Sequence, residues 1–145
     1  MAQYVATRSI AAPVARVFET VAHVDRFQEA VPHITDVEFL TETHSGVGTR
    51  FRETRLMRGR EASTELEVTE YVPDERVRLV SDAGGTIWDT VFTVQAEGAG
   101  TELSMVMDAR PYKLTARVVN PMISRMLTKA LEADMDAVKA YCEGE

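Results

Sequence analysis

Between Thr101 and Tyr141 the apolar positions change from every second residue to every third or fourth. Leu103, Met105 and Met107 alternate along one face of a strand. Ile123, Leu127, Leu131, Met135, Val138 and Cys142 then follow at steps of four, four, four, three and four, which is one face of a long helix. A second stripe, Val119, Met122, Met126, Ala130, Ala133, Ala137 and Tyr141, runs beside it. An apolar strip this wide needs a broad surface to cover, and the strands before it supply one. A sheet gripped by one helix encloses a gap wherever their side chains do not meet.

Upstream, Gln3 to Ile10 is a short β-leaning run ended by Ala11-Ala12-Pro13. Proline suits the first turn of a helix, and Val14, Val17, Phe18 and Val21 follow at helical spacing. Asp25 is placed to cap a second short helix holding Phe27 and Val31, closed by Pro32. Strands are predicted at Ile34–Glu42, Thr49–Met57, Glu61–Val72, Arg76–Ser81, Thr86–Ala96 and Thr101–Arg110. The separators, among them Arg58-Gly59, Pro73-Asp74-Glu75 and Gly98-Ala99-Gly100, are turn-like and short. Parallel pairs need long crossovers, so the strands form an antiparallel meander. Asn120-Pro121 is an N-cap and first-turn pair, which starts the main helix at Pro121 and bends or breaks it from Leu114–Val119.

With 145 residues, 45% of them hydrophobic and 27% charged, residues 1–145 are expected to form a single domain with a real core. The net charge of −7 argues against nucleic acid or an anionic membrane surface as the main partner. Arg50, Arg52, Arg55, Arg58 and Arg60 form one basic cluster, but Glu53, Glu61, Glu65 and Glu67 share their hairpin, so a cross-strand ion-pair ladder is expected. One cysteine, Cys142, excludes an internal disulfide and suits a reducing compartment. No signal peptide and no apolar run of ~20 residues is visible, so the expected setting is cytoplasmic, without membrane insertion.

The order of strand, two short helices, six-stranded meander and long C-terminal helix resembles the START-like helix-grip superfamily. More narrowly, it is similar to the polyketide cyclase/dehydrase-type branch of the SRPBCC proteins. The residues carrying the resemblance are Ser9-Ile10-Ala11-Ala12-Pro13-Val14-Ala15-Arg16-Val17-Phe18, Gly48-Thr49-Arg50-Phe51, Val68-Thr69-Glu70-Tyr71-Val72-Pro73, Gly100-Thr101-Glu102-Leu103 and the Leu131–Lys139 stretch. The resemblance implies an α+β fold of Bet v 1-like type. A curved antiparallel sheet of six to seven strands follows two short helices, and the C-terminal helix packs across it. Apolar-ligand carriers, aromatase/cyclases, quinone-binding proteins and chaperone cofactors all use this fold, so it does not choose the chemistry.

Five of the seven methionines fall between Met105 and Met135, and flexible thioethers suit surfaces that must fit varied apolar shapes. The expected ligand contacts are Phe51, Leu66, Val68, Trp88, Phe92, Met105, Met107, Met122, Met126 and Leu127. Glu53, Arg55 and Tyr112 are the candidates for acid–base work. Glu53 and Arg55 share the strand phase of Phe51, so they face inward with it unless the hairpin overhangs the sheet and leaves both solvated, the alternative preferred from sequence. Asp89 and Asp108 fall in the opposite phase and are expected to face water. His23, His33 and His44 have no metal-ligand spacing, and no nucleophile elbow or phosphate loop occurs, so neither metal nor cofactor is expected.

Three functions follow as expectations. The first is binding of a small, largely hydrophobic molecule, lipid-, polyketide- or quinone-like, between sheet and helix. Its entrance would be flanked by Leu114–Asn120 and the His44 loop. The second is a polyketide cyclase, aromatase or dehydratase using the same space. The third is a protein-interaction module, which requires a solid core and an exposed apolar patch. Monomer and homodimer are both compatible with the sequence.

Overall fold

The computed structural model describes residues 2–57, 59–117 and 121–144. Its elements are β1 (Ala2–Ile10), α1 (Val14–Ala22), α2 (Val24–Ala30), β2 (Ile34–Phe39), β3 (Arg50–Met57), β4 (Arg60–Val72), β5 (Arg76–Ala83), β6 (Thr86–Glu97), β7 (Gly100–Pro111), a 3-10 turn at Leu114–Ala116, and α3 (Pro121–Glu143). The strands make one antiparallel sheet in the order β1-β7-β6-β5-β4-β3-β2. The meander is therefore continuous from β2 to β7, and β1 closes it by pairing with β7. This is the helix-grip architecture.

Side-chain alternation decides which face is covered. On β7 the odd positions Thr101 to Ala109 are all buried and the even ones are not. α3 lies along β1, with Arg8 of β1 bonded to Asp136 at 2.6 Å, while α1 and α2 cover the rest of the inner face. α3 is gripped unevenly. Its buried residues are Asp134, Met135, Val138 and Cys142, all in its second half. Near its start, Met122 is 68% and Ile123 61% exposed. At the far end, Arg16 donates to the carbonyls of Tyr141 and Cys142, and Glu143 accepts from the Ala11 amide.

The Gly100-Thr101 pair has a physical reason. A Cβ at Gly100 would lie 2.5 Å from the Ile10 carbonyl oxygen, and the buried Thr101 hydroxyl donates to the Ala12 carbonyl at 2.7 Å. Together they fasten β7 to the turn between β1 and α1.

Several expectations are corrected. The first meander strand stops at Phe39, three residues short, because Leu40 already bonds outward to Arg50 at the loop. Asp25 lies inside the first turn of α2, where it suits the helix dipole, and His23 holds the cap position. Pro13 caps α1 from outside the helix, with extended backbone. Arg58, Val119 and Asn120 lie outside the described residues.

The outer face carries ion pairs. Arg52 bonds Glu38 at 2.6 Å and Glu65 at 3.0 Å across three strands, the ladder expected there. Asp89 points outward, as expected from its phase, but is only 5% exposed. Arg78 lies over it, donating from Nε at 2.8 Å and from Nη2, and Arg110 adds a bond at 3.1 Å. The Arg78 hydrogen bonds hold the Asp89 carboxyl below its ordinary pKa, outweighing burial, with Arg110 helping. A depressed pKa means that the unfolded chain binds the proton more readily, so this stabilisation is present at neutral pH and lost as acid protonates the folded carboxyl. Asp89→Asn is expected to lower stability by about 1 kcal/mol at pH 7, because its arginine partners are partly solvated. Urea denaturation should show the difference shrinking below about pH 4; a gap unchanged at low pH would count against it.

Candidate functional site

Between the inner face of the sheet and α3 lies a hollow of about 400 Å³. The sheet contributes Phe51, Leu66, Leu79, Trp88, Phe92, Met105 and Met107 to its wall, α2 contributes Phe27, and α3 contributes Leu127, Ala130, Leu131, Asp134 and Met135. The α3 set recurs at steps of three, one, three and one, so one arc of the helix faces the hollow. Exposure of the lining falls from one end to the other. Met57, at the β3–β4 turn, is 44% exposed, whereas Phe51, Met105 and Met135 are buried. The hollow therefore opens where α3 begins and closes where α3 is gripped.

One corner of this apolar wall is charged. Arg55 Nε donates to Glu53 Oε2 at 2.8 Å, and its two terminal nitrogens fork onto Asp134 at 3.1 and 2.9 Å. All three side chains are mostly buried. The hairpin does not overhang: Glu53 and Arg55 point inward with Phe51, which corrects the solvated reading. Burial opposes the Arg55 charge, but the charges and hydrogen bonds of Glu53 and Asp134 overcome it and push its pKa above the usual value. The bidentate fork is the geometry guanidinium and carboxylate prefer. With two carboxylates on one guanidinium, the corner carries a formal excess of one negative charge. It also keeps unused N–H groups and lone pairs for a guest.

A second polar group lies on the same wall. Ser81 is 5% exposed, and its hydroxyl has no hydrogen-bond partner. It pairs with Trp88 across the β5–β6 ladder. The flat indole and the free hydroxyl thus sit side by side.

Phe51, Leu66, Trp88, Phe92, Met105, Met107 and Leu127 line the hollow, together with Glu53 and Arg55. Four expected site residues do not. Val68 is sealed in the core at 3% exposure, because strand phase places a side chain inward without saying which part of the face stays uncovered. Met122 and Met126 belong to the second helical stripe, which reaches the hollow only at Ala130. Tyr112 is exposed and donates to Asp82 at 2.8 Å, anchoring the connection after β7 to the β5–β6 turn. The His44 loop is at the opposite end of the sheet from the opening, with His44 stacked on Phe39 at 3.8 Å. Of the other expected flank, residues 118–120 lie outside the described residues. Asp134 and Ser81 went unread, although each was legible as a polar residue in an inward phase, beside Leu131 and Met135 or beside Leu79. Among the described residues no three His, Cys, Asp or Glu side chains converge as a metal site requires, and no helix is long and apolar enough to cross a membrane.

Solved structures share this fold across nearly the whole chain. A START superfamily protein from Mycobacterium smegmatis is 16% identical with a TM-score of 0.80, covering 98% of this chain and 97% of its own. A protein from Thermus thermophilus is 17% identical with a TM-score of 0.78, covering 95% of this chain and 94% of its own. The di-domain ARO/CYC StfQ of the steffimycin biosynthetic pathway is 13% identical with a TM-score of 0.79; 98% of this chain matches 50% of that one. No curated protein matches the chain. Residues 1–143 match the family model described as polyketide cyclase / dehydrase and lipid transport, and the chain belongs to that family of START-like, SRPBCC-type proteins.

Proposed function

We propose that the protein binds a small, largely apolar molecule of lipid-, polyketide- or quinone-like chemistry in the hollow under α3. One observation carries this: a space of about 400 Å³, walled mainly by aromatic, aliphatic and thioether side chains. Its few polar groups are the charged Arg55 corner, the unpartnered Ser81 hydroxyl, Thr64 and Thr90. That volume and lining are those of a small-molecule site. Burial of guest area supplies the affinity, at roughly 25 cal/mol per Å² before ordering costs, and the polar groups orient the guest. A cytoplasmic setting belongs to the same proposal, supported by the lone cysteine, whose buried thiol is pushed up in pKa by burial.

Native mass spectrometry of freshly purified protein is expected to show a retained small molecule that leaves on denaturation. Trp88 is the only tryptophan and lines the hollow, so its emission reports occupancy. Energy transfer from Trp88 to the neutral dye N-phenyl-1-naphthylamine should saturate, and Ala130→Phe, which grows into the space, should weaken binding at least tenfold. A bare chain that also leaves the dye dark would sink the proposal.

A second reading, cyclase, aromatase or dehydratase, is favoured by the charged corner facing the hollow. Glu53 would move the proton there and Arg55 would hold the developing oxyanion. Glu53→Gln leaving turnover of an identified polyketide unchanged would remove it. The third expectation, a protein-interaction module, asked for a solid interior, and the hollow does not support it.

A further inference from the structure

The open end of the hollow is bordered by Met57 and Ala62 at the ends of β3 and β4, by the β5–β6 turn with Tyr112 and Lys113 bonded to its Gly85, and by the first turns of α3. Exposed large apolar side chains among the described residues concentrate there: Leu56, Met57, Tyr112, Leu114, Met122 and Ile123, leaving only Val5 and Val47 elsewhere. Leu114 is 79% exposed. Unpaired positive charge concentrates there too. Elsewhere most cations are held by carboxylates, as Arg8, Arg52 and Arg78 are. Arg16 of α1 bonds the Tyr141 and Cys142 carbonyls instead, and Arg26 of α2 has no carboxylate partner among the described residues. Among the described residues Arg60, Lys113, Arg117, Arg125 and Lys129 have no such partner, and all five belong to this end or to the first turns of α3. No acidic residue occurs between Asp108 and Glu132. The overall charge of −7 hides this segregation.

We propose that this rim docks on an anionic phospholipid bilayer, with Leu114 and Ile123 entering the boundary between headgroups and acyl chains and Lys113, Arg117 and Arg125 set against phosphates. Neither signal suffices alone. A few apolar side chains give marginal, reversible adsorption, and basic residues near an anionic surface add to it. A second copy of the chain fits the rim poorly, because self-pairing would bring its positive charges together. Docking stands independently of what the hollow holds; where the ligand proposal also holds, the guest passes between bilayer and hollow without crossing water.

The test is sedimentation of the protein with vesicles of phosphatidylcholine alone or mixed with phosphatidylglycerol. Binding is expected to the mixed vesicles only, weakening as salt is raised. Arg117→Glu with Arg125→Glu should lower it at least tenfold, and Leu114→Ser with Ile123→Ser likewise, both with unchanged thermal unfolding because the sites are exposed. Ala130→Phe, which blocks the hollow, should leave vesicle binding intact, separating this proposal from the ligand-binding one. Equal sedimentation with neutral vesicles, none with either, or undiminished binding by the variants would overturn docking. So would a wild-type dimer that the variants dissolve, since the rim would then belong to a second copy.

Discussion

Replacing Arg55 by methionine is expected to cost about 3–5 kcal/mol of stability at pH 7, or roughly 10 °C or more in Tm. The magnitude follows from what stays behind. Glu53 and Asp134 are both mostly buried, and Arg55 is the cation that bonds them both. Removing it leaves two carboxylates without a counter-charge in a largely apolar wall, which costs far more than losing a surface pair. Urea denaturation should show the deficit shrinking with acid, as protons neutralise the stranded carboxylates. The combined variant Glu53→Gln, Arg55→Met, Asp134→Asn should regain most of the loss, because the buried charges leave together. An Arg55→Met protein within about 0.5 kcal/mol of the parent would show a corner as wet as an ordinary surface.

Met135→Ala is expected to cost about 2–5 kcal/mol, while Ile123→Ala, three turns earlier on the same stripe, should change stability by less than about 0.5 kcal/mol. Sequence spacing makes the two residues equivalent, since both belong to the first stripe of α3. Structure separates them: Met135 is 1% exposed and packed where helix, sheet and α1 meet, whereas Ile123 stands beyond the gripped half. Truncating the first removes its buried packing contacts and enlarges the hollow it borders, and truncating the second exposes little that was covered. Equal losses at both positions, measured by chemical denaturation, would mean that α3 is clamped along its whole length.

Most of the fold was readable because turn chemistry and strand phase act locally. Asp74, at positive φ between Pro73 and Glu75, and the glycines at the other turns set the strand limits to within a few residues. Pro121 does start the helix. The site was harder, for a reason visible at Glu53 and Arg55. Their phase said inward, but whether the hairpin ran past the sheet depended on how far α2 and α3 reach, which no local pattern records. Asp134 shows the same gap from the other side. It sits on the inward arc of α3, yet only the distance to Arg55, 79 residues earlier, turns a misplaced acid into half of an ion pair. Val68, Met122 and Met126 were misjudged because two stripes and a strand face offer more apolar surface than one hollow can use.

The uneven grip on α3 uncouples two things that usually constrain each other. Val138 and Cys142, which keep the protein folded, occupy the far half of the helix, and Leu127, Ala130 and Leu131, which would shape a guest, occupy the near half. Only Asp134 and Met135, where the halves meet, serve both. Guest preference can therefore drift or be engineered by exchanging side chains in the loosely held half, while the thermodynamic cost of each trial stays small.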